Sequence, residues 1–120
     1  MREHPMILIV EDDHVQRRQM SRALGSNGYE ILLAADGREA IRILHEREVD
    51  AVLTDRKMPG MSGDELIRHI KLHFPAMPIA IITAYPEDAE DLDPDAILVK
   101  PFGERELREL ARSLVEKEPA

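Results

Sequence analysis

Short runs of apolar residues alternate along the chain with segments in which apolar residues recur at helical spacing. The first run is unbroken and rich in branched side chains, which is typical of a strand buried on both faces of a sheet. Four later runs have a similar length and character. The five predicted strands are Met6–Val10, Tyr29–Ala35, Ala51–Thr54, Ile79–Thr83 and Ala96–Val99. Runs this short fit strands better than helices, so the chain is predicted to form a sheet.

Four further segments, lying between and after the strands, predict amphipathic helices. The first is expected over residues 14–27, and the others begin near Asp36, Ser62 and Gly103. Asp and Ser are residue types that cap helices well, which supports two of these starts. The buried face of the first helix is predicted to comprise Val15, Met20, Ala23 and Leu24. Repeated alternation of strand and helix predicts a doubly wound parallel sheet with helices on both faces.

Polar and charged residues occur where four of the predicted strands end. They are Glu11, Asp12, Asp55, Thr83 and Lys100. Ligands of a doubly wound sheet bind beyond the carboxyl ends of its strands, so these side chains are expected to lie close together. Clustered carboxylates repel one another unless a cation relieves them. An all-oxygen set of ligands suits Mg²⁺ better than zinc, so the pattern predicts a magnesium site.

The same residue types suggest phosphoryl chemistry. A carboxylate can attack phosphorus to give an acyl phosphate. Mg²⁺, the ammonium of Lys100 and the hydroxyl of Thr83 can then stabilise the charge that grows on the phosphoryl oxygens. No pattern of an activated serine or a catalytic histidine is evident. The sequence is therefore interpreted as that of a phosphoryl acceptor that needs an activated donor.

Composition and charge narrow the functions that remain. The 24 acidic residues outnumber the 16 Lys and Arg, and the formal net charge of -8 disfavours direct binding to nucleic acid. The absence of cysteine excludes thiol catalysis and cysteine-ligated metals. The apolar run after the N-terminus is too short for a signal peptide or a membrane span, so we expect a cytoplasmic protein with no membrane partner. A length of 120 residues predicts one domain over residues 1–120, with its core at about 6–115.

Four motifs, in this order and at strand ends, resemble the response-regulator receiver domains of two-component signalling. They are ILIVEDD (7–13), TDRKMPGMSG (54–63), IITA (81–84) and VKPF (99–102). Each motif is weak alone, but the full set is highly specific, and the resemblance runs from about Met6 to Val115. It implies a flavodoxin-like, doubly wound, five-stranded parallel sheet with the strand order 2-1-3-4-5.

The resemblance implies a metal site among the strand-end residues. Asp12 would bind Mg²⁺ directly, and Glu11 would do so mostly through water. Asp55 and the main-chain carbonyl of Lys57 would complete the protein's share of the ligands. Mn²⁺ could substitute for Mg²⁺.

The resemblance also implies the roles of the remaining site residues and the partners. Asp55 would be the phosphoacceptor, Thr83 would hydrogen-bond the phosphoryl group, and Lys100 would ion-pair with it. The Lys100–Pro101 peptide is usually cis in relatives. The phosphoryl donor would be a phosphohistidine on a sensor histidine kinase or on a histidine phosphotransfer protein. The chain would be a monomer or a phosphorylation-dependent dimer.

Two features depart from the family pattern. The position three residues before Lys100 is usually an aromatic switch residue, and here it is Ile97. The segment 84–95 is short, rich in acids and interrupted by Pro86 and Pro94. We therefore predict that the family's fourth helix, between strands four and five, is absent or reduced to about one turn. Such a form looks closer to receivers of hybrid kinases, or to stand-alone ones, than to DNA-binding regulators.

Three alternative functions compete with the receiver interpretation. A flavodoxin-like cofactor binder needs a phosphate-binding loop after strand one, where the acids from Glu11 onwards would repel a phosphate. An aspartyl phosphohydrolase would need a second carboxylate two residues after Asp55, where Lys57 stands. A degenerate receiver that acts only as a protein-interaction module stays open because of Ile97 and the short fourth segment.

One histidine pair lies outside the strand-end set. His69 and His73 are spaced i, i+4 on the third predicted helix, a spacing that can bind a metal. Because no third ligand is evident nearby in the sequence, a solvated helix face is the preferred interpretation.

Overall fold

The computed structural model describes residues 4–116, apart from the side chain of Glu90, and contains a five-stranded parallel sheet. The strands are β1 (Met6–Val10), β2 (Glu30–Ala34), β3 (Ala51–Asp55), β4 (Ile79–Thr83) and β5 (Ala96–Val99). The helices are α1 (His14–Gly25), α2 (Gly37–Glu46), α3 (Gly63–His73) and α4 (Glu104–Val115). The order β2-β1-β3-β4-β5 confirms the predicted doubly wound, flavodoxin-like architecture.

The core consists of two apolar layers, one on each face of the sheet. Ile7 and Ile9 of β1 face the layer that α1 and α4 cover, whereas Leu8 and Val10 face the layer under α2 and α3. This alternation follows from the two-residue period of a strand. Both faces of β1, β3 and β4 are buried, which explains why their sequences are unbroken apolar runs.

Side-chain caps fix the start of three helices close to the strand ends. The carboxylate of Asp13 accepts hydrogen bonds from the main-chain N–H groups at the start of α1. Asp36 and Ser62 cap α2 and α3 in the same way, as predicted. Each of these caps satisfies N–H groups that a helix leaves unpaired in its first turn. They therefore set where the chain turns back after β1, β2 and β3.

The predicted buried face of α1 was wrong at one position. Met20, Ala23 and Leu24 are buried, but Val15 is 62% exposed. Successive residues of a helix are rotated by about 100°, so a separation of nine residues places Val15 on the side opposite Leu24. Val15 therefore presents an apolar side chain to solvent in the first turn of α1.

The connection from β4 to β5 contains no α-helix, as predicted for the family's fourth helix. Two 3₁₀ turns, Pro86–Asp88 and Glu90–Leu92, take its place. Ala89 between them is fully buried, so the connection is packed onto the sheet and is not an open loop. Ile97 on β5 packs into the layer under α2 and α3. Among the described residues, no helix is long and apolar enough to cross a membrane.

Candidate functional site

Three carboxylates come together at the carboxyl edge of the sheet. Glu11 directly follows β1, and Asp55 is the last residue of the neighbouring strand β3. Glu11 is 1% exposed and Asp55 is 7% exposed, whereas Asp12 is open to solvent. One oxygen from each of the three lies within 4.8 Å of the others. The site thus has two buried acids and one exposed acid around a common point.

Lys100 supplies the positive charge that faces this cluster. Its Nζ donates a 2.9 Å hydrogen bond to Oδ1 of Asp55 and lies 4.0 Å from Oε1 of Glu11. The residue follows β5, and its main-chain N–H donates to the carbonyl of Thr83 at 2.9 Å. The peptide between Lys100 and Pro101 is cis, in agreement with the expectation from the resemblance. A main-chain hydrogen bond thus fixes Lys100 at the sheet edge, and its side chain extends across β4 to the acids that follow β1 and end β3.

Thr83 ends β4, the strand between β3 and β5. It is 5% exposed, and its Oγ1 accepts a 3.0 Å hydrogen bond from the N–H of Tyr85. Because this bond uses an acceptor lone pair, the hydroxyl hydrogen remains available to donate to an oxygen above the sheet edge. The structure therefore places Glu11, Asp12, Asp55, Thr83 and Lys100, all five strand-end residues, at one edge.

Glu11 carries the largest electrostatic perturbation of the site. Its Oε2 accepts from the N–H of Asp13 at 3.2 Å, but its Oε1 is buried and accepts no hydrogen bond from any described residue. The pKa of Glu11 is raised to about 7, chiefly by burial and also by the charge of Asp55, while the Asp13 hydrogen bond and Lys100 oppose the shift. An orphaned, buried carboxylate oxygen among two other acids is costly without a cation. The residues present therefore fit a hard divalent ion such as Mg²⁺.

The loop after Asp55 depends on a glycine. A Cβ on Gly63 would overlap the main-chain oxygen of Asp55 and would lie 2.8 Å from Cα of Arg56. Without a side chain, Gly63 donates its N–H to the carbonyl of Arg56 at 2.8 Å. The Arg56 guanidinium also contacts Asp64 through two hydrogen bonds, at 3.0 and 3.2 Å. These contacts hold the first turn of α3 directly behind the phosphoacceptor candidate.

Lys57 and Tyr85 follow β3 and β4 and lie in the loops beside the cluster. The main-chain carbonyl of Lys57 stays a prediction as a metal ligand. Its side chain, however, lies over Tyr85, with Nζ 5.6 Å from the ring centroid. Both side chains line a cleft that Thr83 also borders. The side chains of Lys57 and Tyr85 therefore lie together beside Thr83.

One candidate ligand elsewhere in the molecule was not predicted from the sequence. His45 of α2 lies against His69 and His73 of α3, with ring centroids 5.6 and 6.0 Å away. The spacing of the pair on α3 was the only sequence signal. A third histidine 24 residues from His69 becomes visible only when the packing of α2 on α3 is known.

A model of the family described as the response regulator receiver domain matches residues 7–112. The chain belongs to this family. It is 36% identical over 116 residues to the response regulator MprA of Mycolicibacterium vanbaalenii, covering 92% of this chain and 50% of that protein. It is 37% identical over 119 residues to the sensor kinase CckA of Brucella abortus, covering 93% of this chain and 13% of that protein. The receiver domain thus spans half or less of these curated relatives.

Solved structures share the receiver fold. The response regulator TrrA of Thermotoga maritima, in complex with Mg²⁺ and BeF, has a TM-score of 0.85 and 33% identity, covering 92% of this chain and 98% of that one. The chemotaxis response regulator CheY4 of Vibrio cholerae has a TM-score of 0.85 and 27% identity over the same shares. Both agree with the five-stranded receiver fold of this chain.

Proposed function

We propose that this receiver domain accepts a phosphoryl group on Asp55 in a Mg²⁺-dependent reaction within a phosphorelay. The observation that carries the proposal is the convergence of Lys100 on Asp55, at 2.9 Å, beside the orphaned carboxylate of Glu11. An ion pair without any further acid would be an ordinary structural feature. The buried carboxylate of Glu11, which has an oxygen without a hydrogen bond, distinguishes this site from an ordinary stabilising ion pair.

Each residue has a distinct role in the proposed transfer. An Oδ atom of Asp55 forms a bond to phosphorus as the bond from phosphorus to the donor breaks, and the donor leaves with its electron pair and takes up a proton. Glu11, Asp12, Asp55 and the Lys57 carbonyl would hold Mg²⁺, which neutralises charge on the phosphoryl oxygens when bound. The Lys100 ammonium and the Thr83 hydroxyl stabilise the remaining negative charge on the phosphoryl oxygens during transfer. They stabilise the same charge in the acyl phosphate that forms.

The proposed donors are proteins that carry a phosphohistidine, either a sensor histidine kinase or a histidine phosphotransfer protein. A groove of about 600 Å³ between α1 and α4 begins at Lys100 and supports this assignment. Its lining includes the exposed side chain of Val15 together with Met20, Phe102 and Leu107. An apolar surface beside the acceptor suits a helical protein partner, whereas the net charge of -8 disfavours nucleic acid.

We propose a single receiver domain over residues 1–120 with its core at about 6–115, located in the cytoplasm without a membrane partner. It exists as a monomer or as a phosphorylation-dependent dimer. Phosphorylation changes partner binding through surfaces other than a full fourth helix, since two 3₁₀ turns replace that helix.

Intact mass after incubation with acetyl phosphate tests the proposal. We expect the mass of one phosphoryl group to be added in the presence of Mg²⁺, or of Mn²⁺, and no addition in the presence of EDTA. The reason is that the three carboxylates repel the negatively charged phosphoryl group unless a divalent cation offsets their charge. Equal addition in EDTA would contradict the magnesium site. Absence of addition with Mg²⁺ would favour the alternative, a degenerate receiver that only binds partners.

Lys57 and Tyr85 are expected to slow the loss of the phosphoryl group. The ammonium of Lys57 lies over the Tyr85 ring, and both side chains line a cleft that Thr83 borders. We expect them to obstruct a water molecule that approaches the phosphoryl group from this side. Lys57→Asn and Tyr85→Ala should each speed phosphate release by about two- to fivefold, the range that corresponds to losing a cation–π contact at a partly exposed position.

A time course of phosphate release from the phosphorylated domain measures this effect. Lys71→Asn on α3 is the matched control, because Lys71 pairs with Asp93 at 3.9 Å and does not line the cleft. Release rates that are the same in both variants and in the parent would refute the role of the pair.

A further inference from the structure

Three histidines gather where α2 and α3 end, away from the acids. His45 lies in the last turn of α2, and His69 and His73 lie on the last two turns of α3. Both helices run back from the carboxyl edge of the sheet, so their last turns lie towards its amino edge. The cluster therefore lies apart from Asp55, and an inference about it does not depend on the proposed phosphoryl transfer.

The spacing between two of the rings matches that of ligands on one metal ion. Nε2 of His45 and Nε2 of His69 are 3.3 Å apart. Two imidazole nitrogens bound to one tetrahedral zinc ion, each by a bond of 2.0–2.1 Å, are about 3.3 Å apart as well. The two nitrogens are thus already at the separation that a shared ion requires, although in its absence one of them donates a hydrogen bond to the other.

The third ring lies within reach of the same point. The rings of His69 and His73 stand one helical turn apart, with centroids 4.2 Å from each other and planes inclined by 36°. Among residues 4–116, the acids around Asp55 are the set of three whose donor atoms already lie within 4.8 Å, so the His73 ring must turn to complete the set. His73 is exposed at the end of α3, and rotation of an exposed side chain is inexpensive.

The helix ends and the rings around the three histidines favour a bound metal ion. The last turns of two helices meet here, and each presents the negative end of its dipole. Burial and the adjacent rings of His73 and His45 lower the pKa of His69, which favours the neutral form that binds metals. Phe74 packs against His45, with ring centroids 5.0 Å apart, and so limits its motion.

We propose that His45, His69 and His73 form a binding site for a transition-metal ion of the zinc class, which links the ends of α2 and α3. Imidazole ligands select Zn²⁺, Ni²⁺, Co²⁺ or Cu²⁺ and have little affinity for Mg²⁺, whereas the carboxylates around Asp55 have the opposite preference. The receiver domain therefore has two cation sites of different chemistry at opposite edges of one sheet. Three protein ligands leave one position of a tetrahedral ion for water or for a group of a partner protein.

Titration of the whole chain with Zn²⁺ in saturating Mg²⁺, followed by calorimetry, tests the proposal. We expect one equivalent of Zn²⁺ to bind, and we expect His45→Ala, His69→Ala and His73→Ala each to weaken binding at least tenfold. His4→Ala is the matched control, because this exposed histidine contacts the carbonyl of Gly28 and belongs to neither cation site. Its affinity for Zn²⁺ should equal that of the parent.

Two further readouts separate a metal site from a merely structural cluster. Co²⁺ should give the visible absorption of a tetrahedral ion in the parent and in His4→Ala, but not in the three variants. The thermal unfolding midpoint should rise by about 10 °C at a hundredfold excess of Zn²⁺ over its dissociation constant, and His45→Ala should lose this rise.

Specific results would overturn the proposal. Zn²⁺ affinities within twofold of the parent in all three variants would exclude the histidines as ligands. Loss of Zn²⁺ binding in Asp12→Asn, with normal binding in the histidine variants, would assign the ion to the acidic cluster instead. Loss in His69→Ala without loss in His73→Ala or His45→Ala would exclude the three-residue site.

Discussion

Asp55→Asn is expected to abolish phosphoryl uptake from acetyl phosphate while leaving the fold intact. The amide of Asn has the size of the carboxylate, but it has no negative charge and an NH₂ group replaces one carboxylate oxygen, so its oxygen is too weak a nucleophile to attack phosphorus. The buried position is preserved, since Asn can still accept the hydrogen bond that Lys100 donates to Asp55. Intact mass should show no addition in the variant under conditions that fully modify the parent.

Asp13→Asn is the matched control for this experiment. Asp13 adjoins the acidic cluster in sequence, but its carboxylate caps α1 by accepting from the N–H groups of Val15 and Gln16. Asn caps a helix about as well as Asp, so this variant should fold and be modified like the parent. Modification that persists in Asp55→Asn would place the acceptor elsewhere. Loss of modification in both variants would show that phosphoryl uptake depends on the total negative charge at the carboxyl edge of the sheet and not on Asp55 in particular.

Much of the site could be predicted because parallel sheets bring distant sequence positions to one edge. Glu11, Asp55, Thr83 and Lys100 each follow or end an apolar run, and the run itself reveals the strand. The rule that such strands point the same way then places their carboxyl ends together without knowledge of any side-chain contact. The replacement of the fourth helix by 3₁₀ turns could be predicted for a similar local reason, since prolines and acids leave no apolar face there.

One prediction failed for a reason that the helical pattern itself contains. The orientation of Val15 was predicted wrongly because several apolar residues on one helix were assigned to one face without regard to their angular separation.

Other features depend on packing that the local pattern does not encode. His45 was missed because its contact with His69 depends on how α2 lies against α3. The position of Lys57 over Tyr85 likewise joins two loops that follow different strands. These features require relative placement of elements, which neither periodicity nor motif spacing supplies.

The metal-free receiver domain is expected to lose stability as the pH rises from about 5 to about 8. Burial and the nearby charge of Asp55 raise the pKa of Glu11 from 4.5 to about 7. Between these two values the folded state binds more protons than the unfolded state, so the free energy of unfolding falls as the pH rises and levels off above the folded pKa. The full loss corresponds to about 3 kcal/mol, because each pKa unit contributes about 1.4 kcal/mol.

Urea denaturation in EDTA at several pH values measures this slope, and Glu11→Gln should remove most of it. The variant cannot ionise, so it should be about as stable at pH 8 as at pH 5.5 apart from the contribution of other groups. Lowering of the His69 pKa acts in the opposite direction, since it makes the folded state bind fewer protons. The difference between the parent and Glu11→Gln profiles isolates the contribution of the buried acid.

Glu109→Gln serves as the control for the loss of a glutamate charge. Glu109 is exposed and pairs with Arg105 at 3.2 Å along α4, an arrangement that contributes little to stability. Its profile should retain the slope of the parent. A parent profile that is flat in EDTA, or one that Glu11→Gln does not alter, would contradict the cost assigned to the orphaned carboxylate.

Addition of Mg²⁺ should reverse the destabilisation, and more strongly at pH 8 than at pH 5.5. A divalent cation binds the ionised carboxylates in preference to the protonated ones, so its stabilising effect grows as Glu11 loses its proton. Burying the ionised Glu11 destabilises the metal-free domain, and a bound cation relieves this cost. The relief adds to the affinity of the site formed by Glu11, Asp12 and Asp55 for the ion. The pH dependence of the stability and that of the Mg²⁺ affinity should therefore have opposite slopes, and Glu11→Gln should flatten both.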